Sequence, residues 1–391
     1  MRCVACGKEY SSKKSRQICR CGEPLEVEHI PGKIASGGTV WKRFRDFFPQ
    51  EMKETDLRDL HTLSEGETPT IKVDELSEIY DVDLYLKNET VNPTWSFKDR
   101  GTVTSLIHAS RLGAKTIGTV STGNMASSVA AYGNRLGSKT VVLVPEDISD
   151  RKLEQIAAYD PLILKVAGDY GDLFYESLEL SADDPEIYFS NSNSPYRIEG
   201  YKTLAFEIIE ESSPDFVIIP TSSGGLFRGV MKGLIELKKS GILDKIPTPV
   251  SVQAAGCSPI VRAYQGGKKK IERWSEPGTE AGAIANPLPP GGNEVLRKLD
   301  EHDGLCTKVS DEEIMDAQNK IASEGIFCQP ASAVGVAALK DLRENGSIEK
   351  GSEVITIITG SGLKNLRGKF DRQRVKHIDI SELKEWYEEE S

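Results

Sequence analysis

The chain has 391 residues, 38% hydrophobic and 28% charged, which is enough to build more than one α/β unit. Its 60 acidic residues outnumber 49 basic ones, and the resulting net charge of −11 argues against a nucleic-acid-binding surface. The sequence contains no run of 18 apolar residues and does not begin with a hydrophobic signal segment. We therefore expect a cytoplasmic protein without membrane contacts.

The first residues form a cysteine-rich segment. Cys3, Cys6, Cys19 and Cys21 follow the pattern C-x2-C-x12-C-x-C, and paired thiolates separated by a loop suit a tetrahedral zinc ion. We predict a structural Zn²⁺ site at these four residues. The second pair is C-x-C and not the usual C-x2-C, so free thiols in a short arm are the alternative.

Composition and patterning divide the chain into four parts. We expect a cysteine-rich knuckle at 1–30, a segment packing on the large domain at 31–80, and an acidic tail at 376–391. Between them, residues 81–375 form a large α/β region, of which about 100–200 make the smaller lobe.

From residue 80 onward, short β-rich runs alternate with helical patterns. Continuous apolar strands separated by helices predict parallel sheets that are buried on both faces. The predicted strands are DLYLK, KTIGTV, KTVVLVP, LILKV, EIYFS, DFVIIP, PVSVQAA and EVITIITG. Residues 265–300 lack such a pattern, and we expect a long surface excursion near a site.

Two of these strands end in loops rich in Ser and Gly that lead into helices, at 121–125 and 222–225. Backbone N–H groups at a helix N-terminus bind phosphate or carboxylate, so two such loops in one sheet predict a ligand with two anionic ends. Neither loop has a nucleotide-binding signature. The alternative is that these loops do not bind an anion, because many α/β proteins use Gly and Ser after a strand only to turn the chain.

Lys98 lies in the stretch NPTWSFKDRG. Ser96 and Asp99 have the spacing of a capping box, which predicts a helix that begins here. Lys98 is then either a solvated first-turn residue or an amine whose pKa is depressed near helix N-termini, able to form a Schiff base.

The motifs SEGETPT, NPTWSFKDRG, STGNMASSVAAY, NSNSPYRIEGYKTLAFEI, EGIFCQPASAV and ITGSGLKNL occur in this order. The chain resembles the threonine synthase family of fold-type-II pyridoxal-phosphate (PLP) enzymes, in the tryptophan synthase β-like superfamily, from the cysteine knuckle to about residue 367. The resemblance implies an α/β fold with two open, mostly parallel sheets flanked by helices.

The resemblance also implies an activity and a set of site residues. The family converts O-phospho-L-homoserine and water into L-threonine and phosphate, with Lys98 as Schiff-base lysine and acid–base group. The resemblance further implies that the protein forms a homodimer. The implied cofactor-binding residues are Lys98, Asn124, Ser222, Ser223, Gly224, Gly225, Leu226 and Thr359, and the substrate-binding residues are Ser121, Thr122, Asn191, Ser192 and Arg197.

Several residues depart from the family pattern near the substrate. Trp95 stands where the family usually has Gly, Met125 where it has Thr, Tyr201 where it has Gln, and Gln329 where it has Glu. We expect Trp95 to add bulk to the pocket and Met125 to remove a hydroxyl from a phosphate site. Alternatives are a cysteate synthase-like enzyme that replaces the phosphate of O-phosphoserine with sulfite, a serine or threonine dehydratase, and a cofactor-free binding homologue.

Overall fold

The structure is a computed structural model, and it describes residues 1–54, 62–168, 170–366, 378–382 and 388. Most of the predicted acidic tail at 376–391 lies outside the described residues. At the N-terminus, β1 (Arg2–Cys3) and β2 (Leu25–Glu26) form a small antiparallel sheet. This pairing brings the two ends of the cysteine-rich segment together.

Two larger sheets make up the rest. The six-stranded sheet has the order β11-β10-β9-β12-β4-β3, and only its edge strand β3 runs antiparallel to its neighbour. The four-stranded sheet, β7-β6-β5-β8, is parallel throughout. The strands are β3 (Thr70–Lys72), β4 (Asp83–Asn88), β5 (Thr116–Val120), β6 (Lys139–Pro145), β7 (Leu162–Val166), β8 (Ile187–Phe189), β9 (Phe216–Pro220), β10 (Thr248–Ala254), β11 (Leu305–Val309) and β12 (Glu353–Ile358).

Helices connect the strands. They are α1 (Val40–Arg43), α2 (Gln50–Lys53), α3 (Asp74–Tyr80), α4 (Lys98–Arg111), α5 (Asn124–Arg135), α6 (Asp150–Ala157), α7 (Tyr170–Asp183), α8 (Pro195–Tyr201), α9 (Thr203–Glu211), α10 (Gly225–Lys239), α11 (Pro259–Gln265), α12 (Gly292–Glu301), α13 (Asp311–Ser323), α14 (Pro330–Ala337) and α15 (Leu339–Glu344). Within the described part of the chain, no helix combines the length and apolarity that a membrane span requires.

This architecture confirms the predicted fold class of two open, mostly parallel sheets flanked by helices. Every strand predicted from the sequence is present. The sequence patterns did not reveal β3 or β11, because TIK is short and LCTKV, an edge strand, contains the polar residues Thr307 and Lys308, of which the first is half-buried and the second exposed.

The segment after the cysteines packs on the larger part of the fold through aromatic side chains. Trp41, Phe44 and Phe47 are buried. The rings of Phe44 and Phe47 lie 4.6 and 5.0 Å from the ring of Phe206 in α9. These aromatic contacts hold the segment against α9.

A buried cluster of charges ties the same segment to α8 and α10. Nε2 of His29 lies 3.3 Å from Glu199 and 3.2 Å from Glu236, and the ammonium groups of Lys202 and Lys232 contact the same two carboxylates. Buried charges are tolerated only when they are paired in this way. Because two ammonium groups already neutralise these carboxylates, the cluster is an ion-pair network and not a metal site.

Helices α4 and α8 approach each other closely at two glycines. A Cβ on Gly200 would lie 1.9 Å from the carbonyl oxygen of Arg100, and one on Gly101 would lie 2.5 Å from the ring of Tyr201. Only glycine permits backbones to come this near. The contact brings the start of α4, with Lys98, against the residues Arg197 and Tyr201 of α8.

We expect Gly200→Ala to destabilise the fold by several kcal/mol, on the order of other overpacked core substitutions. Chemical denaturation would measure the change in the free energy of unfolding. Gly278→Ala is the matched control, since a Cβ there meets no atom within 4 Å and the residue is exposed. Equal stability of the two variants would contradict the close approach of α4 and α8.

Candidate active site

A cavity of about 490 Å³ lies at the carboxyl ends of strands from both large sheets. Loops after β5, β8, β9 and β12 line it, as do the last residue of β6, the start of α4 and residues of the excursion between α11 and α12. Ligands of open parallel sheets bind at this edge.

Lys98 is the first residue of α4 and lines the cavity. Its Nζ lies 4.4 Å from the ring centroid of Phe97 and 5.9 Å from that of Tyr201. Burial, together with the nearby positive charge of Arg197, lowers the pKa of Lys98 to about 7. The side chain is therefore an amine that can be neutral near physiological pH, and not a solvated charge.

The predicted capping box is wrong. The helix begins at Lys98 with Phe97 at its N-cap, and the buried Ser96 hydroxyl has no partner among the described residues. Asp99 instead accepts hydrogen bonds from the backbone N–H and hydroxyl of Thr94, at 2.7 and 2.6 Å, and from Ser128 at 2.6 Å. Asp99 thus anchors the preceding loop to α4 and to α5.

Both predicted anion-binding loops line the cavity. Ser121 and Thr122 precede the N-terminus of α5, and the Ser121 hydroxyl accepts a hydrogen bond from the N–H of Gly123. Ser222 to Leu226 form the second loop, where Gly224 at φ 87° caps α10. Only glycine adopts this left-handed conformation readily, which keeps the backbone N–H groups of the loop accessible.

Two predicted site residues are held by neighbours that were not predicted as site residues. The amide Nδ2 of Asn124 donates to Oε1 of Gln329 at 2.7 Å, and the hydroxyl of Thr359 lies 2.9 Å from that of Ser332. Gln329 precedes α14 and Ser332 lies within it. Both polar neighbours belong to the motif EGIFCQPASAV, and this motif was the feature of the sequence from which they could have been predicted.

Arg197, which the resemblance assigns to the substrate phosphate, is held by neighbouring residues in this structure, and its contact with a phosphate stays a prediction. Arg197 is fully buried and is absent from the cavity lining. A guanidinium has five N–H groups, and five hydrogen bonds engage them: two to Tyr201, and one each to Thr102, Ser190 and the carbonyl of Lys98. No N–H group is left for a ligand in this arrangement.

In the loop between β8 and α8, Ser192 lines the cavity but Asn191 does not. The Asn191 side chain is buried, accepts from the N–H of Val120 at 2.9 Å and donates to Ser177 at 2.8 Å. Its amide holds β5 against the segment after β8. Asn191 thus has a structural role in this arrangement, and its predicted contact with the substrate stays a prediction.

Trp95 does not narrow the cavity, in contrast to the prediction. Its side chain is 49% exposed and is absent from the cavity lining, and its φ is +63°. The left-handed backbone directs the indole outwards and explains why glycine is favoured at this position. Met125, by contrast, is buried and does line the cavity, as predicted.

The excursion closes one side of the cavity with residues 282–288, and Asn286 donates to the Ser223 hydroxyl at 2.8 Å. It also contributes Arg273, an exposed residue in the cavity lining. The sequence indicated that this excursion lies near a site but did not single out Arg273, because KKKIER contains four other charged residues.

The four N-terminal cysteines meet at one point, away from the cavity. Sγ of Cys3 lies 3.5 Å from that of Cys21, and Sγ of Cys6 lies 3.6 Å from that of Cys19. All four sulfur atoms lie within 4.8 Å of one another. Ligand sulfurs of a tetrahedral zinc site are separated by roughly 3.8 Å, so the group has suitable dimensions for such an ion.

Comparison with known proteins places this site in context. Residues 61–360 match a family described as pyridoxal-phosphate dependent enzyme. The chain is 37% identical to the threonine synthase of Methanocaldococcus jannaschii and 35% identical to that of Methanosarcina acetivorans, in each case over 93% of this chain and 92% of the relative. A threonine synthase of Bacillus sp. strain ULM1 is 36% identical over 83% of this chain and 89% of its own.

Solved structures share the fold at lower identity. Maize serine racemase superimposes with a TM-score of 0.66 at 20% identity, covering 83% of this chain and 92% of that one. Threonine deaminase isoform 2 from Solanum lycopersicum gives 0.67 at 21% identity, covering 93% and 99%. These likenesses support the two-sheet architecture.

The lowered pKa of Lys98 predicts the pH range in which its amine reacts. A lysine with a pKa of about 7 is mostly neutral above pH 7, so cofactor-free protein should form its adduct with pyridoxal phosphate faster as the pH rises through that value, and then level off. Stopped-flow absorbance would follow the rate, with Lys98→Ala as the control that forms no adduct. A rate that keeps rising to about pH 10 would indicate an ordinary lysine.

Proposed function

The chain belongs to the family of pyridoxal-phosphate dependent enzymes, and from that premise we propose that it converts O-phospho-L-homoserine and water into L-threonine and phosphate. The observation that carries this proposal is Lys98, an amine of lowered pKa in a cavity flanked by two helix N-termini. The similarity to threonine synthases over 93% of the chain supports the choice of substrate.

The residues of the cavity fit the cofactor. Lys98 offers an amine for a Schiff base, the glycine-rich loop at 222–226 offers backbone N–H groups for the phosphate, and Thr359 offers a hydroxyl in the cavity lining. Asn124 offers an amide N–H besides the one bound by Gln329. Pyridoxal phosphate supplies an electron sink for charge that develops on the substrate.

The chain's own groups then bind and move protons. The N-terminus of α5, with Ser121 and Thr122, is placed to receive the substrate carboxylate, and Ser192 offers a hydroxyl on the adjacent wall. Lys98 takes and returns protons, because a pKa of about 7 allows both forms near neutral pH. No carboxylate side chain occurs among the described cavity-lining residues, so Lys98 has no acidic competitor for this role.

A cysteate synthase-like reaction is the second candidate. A pocket narrowed by Trp95 would favour the shorter substrate of that reaction. Because the Trp95 side chain lies outside the cavity, this reason no longer applies. Met125 does remain in the wall beside Asn124, and it replaces a hydroxyl with an apolar thioether. This one observation keeps an altered phosphate site, and hence a shorter substrate such as O-phosphoserine, as an alternative.

A phosphate-release assay separates the two reactions. We expect release from O-phospho-L-homoserine in water, and none above background from O-phosphoserine with sulfite. Lys98→Ala should abolish release and the visible absorbance of the bound cofactor together, because one amine serves both purposes. Release only from O-phosphoserine with sulfite would establish the second candidate and reject the first.

For the cysteine cluster we propose a structural zinc ion bound by Cys3, Cys6, Cys19 and Cys21. The sulfur separations of 3.5 and 3.6 Å support this assignment. Gly22, at φ 87°, turns the chain immediately after Cys21. The ion would join β1 and β2, whose sheet is too small to be stable alone.

Metal analysis of purified protein tests this assignment. We expect stoichiometric zinc, which is lost in Cys6→Ser together with a lowered melting temperature. Cys257→Ser is the control for zinc content, since Cys257 is a cysteine outside the cluster and its loss should leave the bound zinc unchanged. A metal-free wild-type protein, prepared without chelators and with zinc supplied during expression, would contradict the proposal.

The homodimer, the cytoplasmic location, the absence of nucleic-acid binding and the division at residues 30, 80 and 375 stay predictions. The four-stranded sheet, from Thr116 to Phe189, supports the smaller lobe proposed at about 100–200.

A further inference from the structure

The cysteine-rich knuckle contains a hairpin that contacts elements of both large sheets. The N–H of Leu25 donates to the carbonyl of Gln17 at 3.2 Å, and the N–H of Cys19 donates to that of Glu23 at 2.8 Å. Residues 17–25 therefore form two paired arms, with Cys19 and Cys21 near the tip. The proposed zinc ion accounts for the tip of this hairpin, but not for what the two arms contact.

The first arm binds the smaller lobe. Nε2 of the buried Gln17 donates to the carbonyl of Phe189, the last residue of β8, and the hydroxyl of Ser15 donates to the carbonyl of Ser181 in α7. Strand β8 is the edge strand of the four-stranded sheet. The loop that follows β8 contains Ser192 of the cavity lining, so this arm is attached one loop away from the cavity.

The second arm binds two helices that pack on the six-stranded sheet. Glu23 accepts hydrogen bonds from Nδ2 of Asn293 at 2.7 Å and from Nη2 of Arg297 at 2.9 Å, both in α12. The carbonyl of Leu25 accepts a hydrogen bond from Nη2 of Arg228, in α10, at 3.0 Å. The hairpin thus joins elements on opposite sides of the cleft.

These two helices support another wall of the cavity. Helix α10 begins within the glycine-rich loop at 222–226, and the N–H of Gly291, directly before α12, donates to the carbonyl of Ser223 at 3.0 Å. This wall also meets the loop after β8, since a Cβ on Gly225 would lie 3.3 Å from the carbonyl oxygen of Ser192. A small displacement of one lobe would therefore change the contact between the two walls.

From these contacts we propose that Gln17 and Glu23 are positioning residues, which hold the two walls of the cavity at a fixed separation through the hairpin at 17–25. A terminal segment that packs on one lobe is the ordinary alternative, but it does not explain hydrogen bonds to both lobes from the two arms of one hairpin. The inference rests on the part of the proposed function that places the cofactor phosphate at 222–226, and not on the choice of substrate.

A double-mutant cycle on cofactor affinity tests whether the hairpin acts as one connection. Gln17→Met keeps the volume of the side chain but loses its N–H donor, and Glu23→Ala loses the acceptor for α12. We expect each variant to raise the dissociation constant for pyridoxal phosphate, measured by absorbance titration of cofactor-free protein, by about 5- to 10-fold. The double variant should bind no more than about 2-fold more weakly than either single variant, because either change breaks the same connection.

Two further variants serve as controls in the titration. Glu9→Ala removes an exposed carboxylate of the same knuckle, which makes no hydrogen bond or ion pair with the described part of the chain, and it should leave the affinity unchanged. Glu23→Gln keeps one acceptor oxygen and should recover part of the loss.

Hydrogen exchange in the cofactor-loaded protein shows how far each effect extends. We expect Glu23→Ala to speed amide exchange at 190–194, and Gln17→Met to speed it at 222–226, by about 3-fold or more. Each of these loops lies on the side of the cleft that the altered side chain does not contact. Faster exchange confined to the lobe that the altered residue contacts would show a local structural role and overturn the proposal.

The outcomes distinguish this inference from the proposed function. Losses that multiply in the double variant, to roughly 25- to 100-fold, would show two independent supports and reject the connection. Wild-type affinity and exchange in both single variants would also reject it, whichever substrate the enzyme uses. If the wild type forms no adduct with pyridoxal phosphate, the proposed function fails, and exchange in the cofactor-free proteins then decides whether the hairpin joins the two lobes.

Discussion

The buried ion pairs of Arg100 fix the helix on which the site depends. Its guanidinium lies between two buried carboxylates, donating to Glu89 at 2.7 and 2.8 Å and to Glu207 at 2.6 and 2.7 Å. Glu89 follows β4 and Glu207 lies in α9, so one side chain joins three parts of the fold. Removing one partner would leave a charge buried without compensation, at a cost of about 3–5 kcal/mol. Lys98 is only two residues away.

The close approach of α4 and α8 gives Lys98 its chemical character. Because Gly101 and Gly200 let the helices touch, Arg197 of α8 reaches the carbonyl of Lys98 and places a second positive charge near the amine. That charge adds to the effect of burial, and both lower the pKa of the lysine. The charge of Arg197 therefore influences the pKa of Lys98, while its implied contact with the substrate stays a prediction.

Sequence patterns predicted the sheets, the two anion-binding loops and Lys98 because each depends on local features: apolar runs, Ser and Gly after a strand, and a motif in one stretch. They failed where long-range contacts decide. Whether Arg197 faces a cavity or Tyr201 depends on a helix packing, and whether Trp95 narrows a pocket depends on the sign of its φ. The sequence did not single out Arg273 as a residue of the cavity lining. Only the folded structure shows which charged residue of KKKIER lies at the cavity.

The hydrogen bond between Asn124 and Gln329 joins a cavity-lining residue to a neighbour behind it. Asn124 begins the helix after β5 of the four-stranded sheet, whereas Gln329 precedes a helix that packs on the six-stranded sheet. The bond therefore fixes the orientation of a cavity-lining amide from the opposite sheet layer, so the direction of the Asn124 side chain depends on how the two sheets are packed. A glutamine serves this purpose without bringing a negative charge into a cleft that must admit anions.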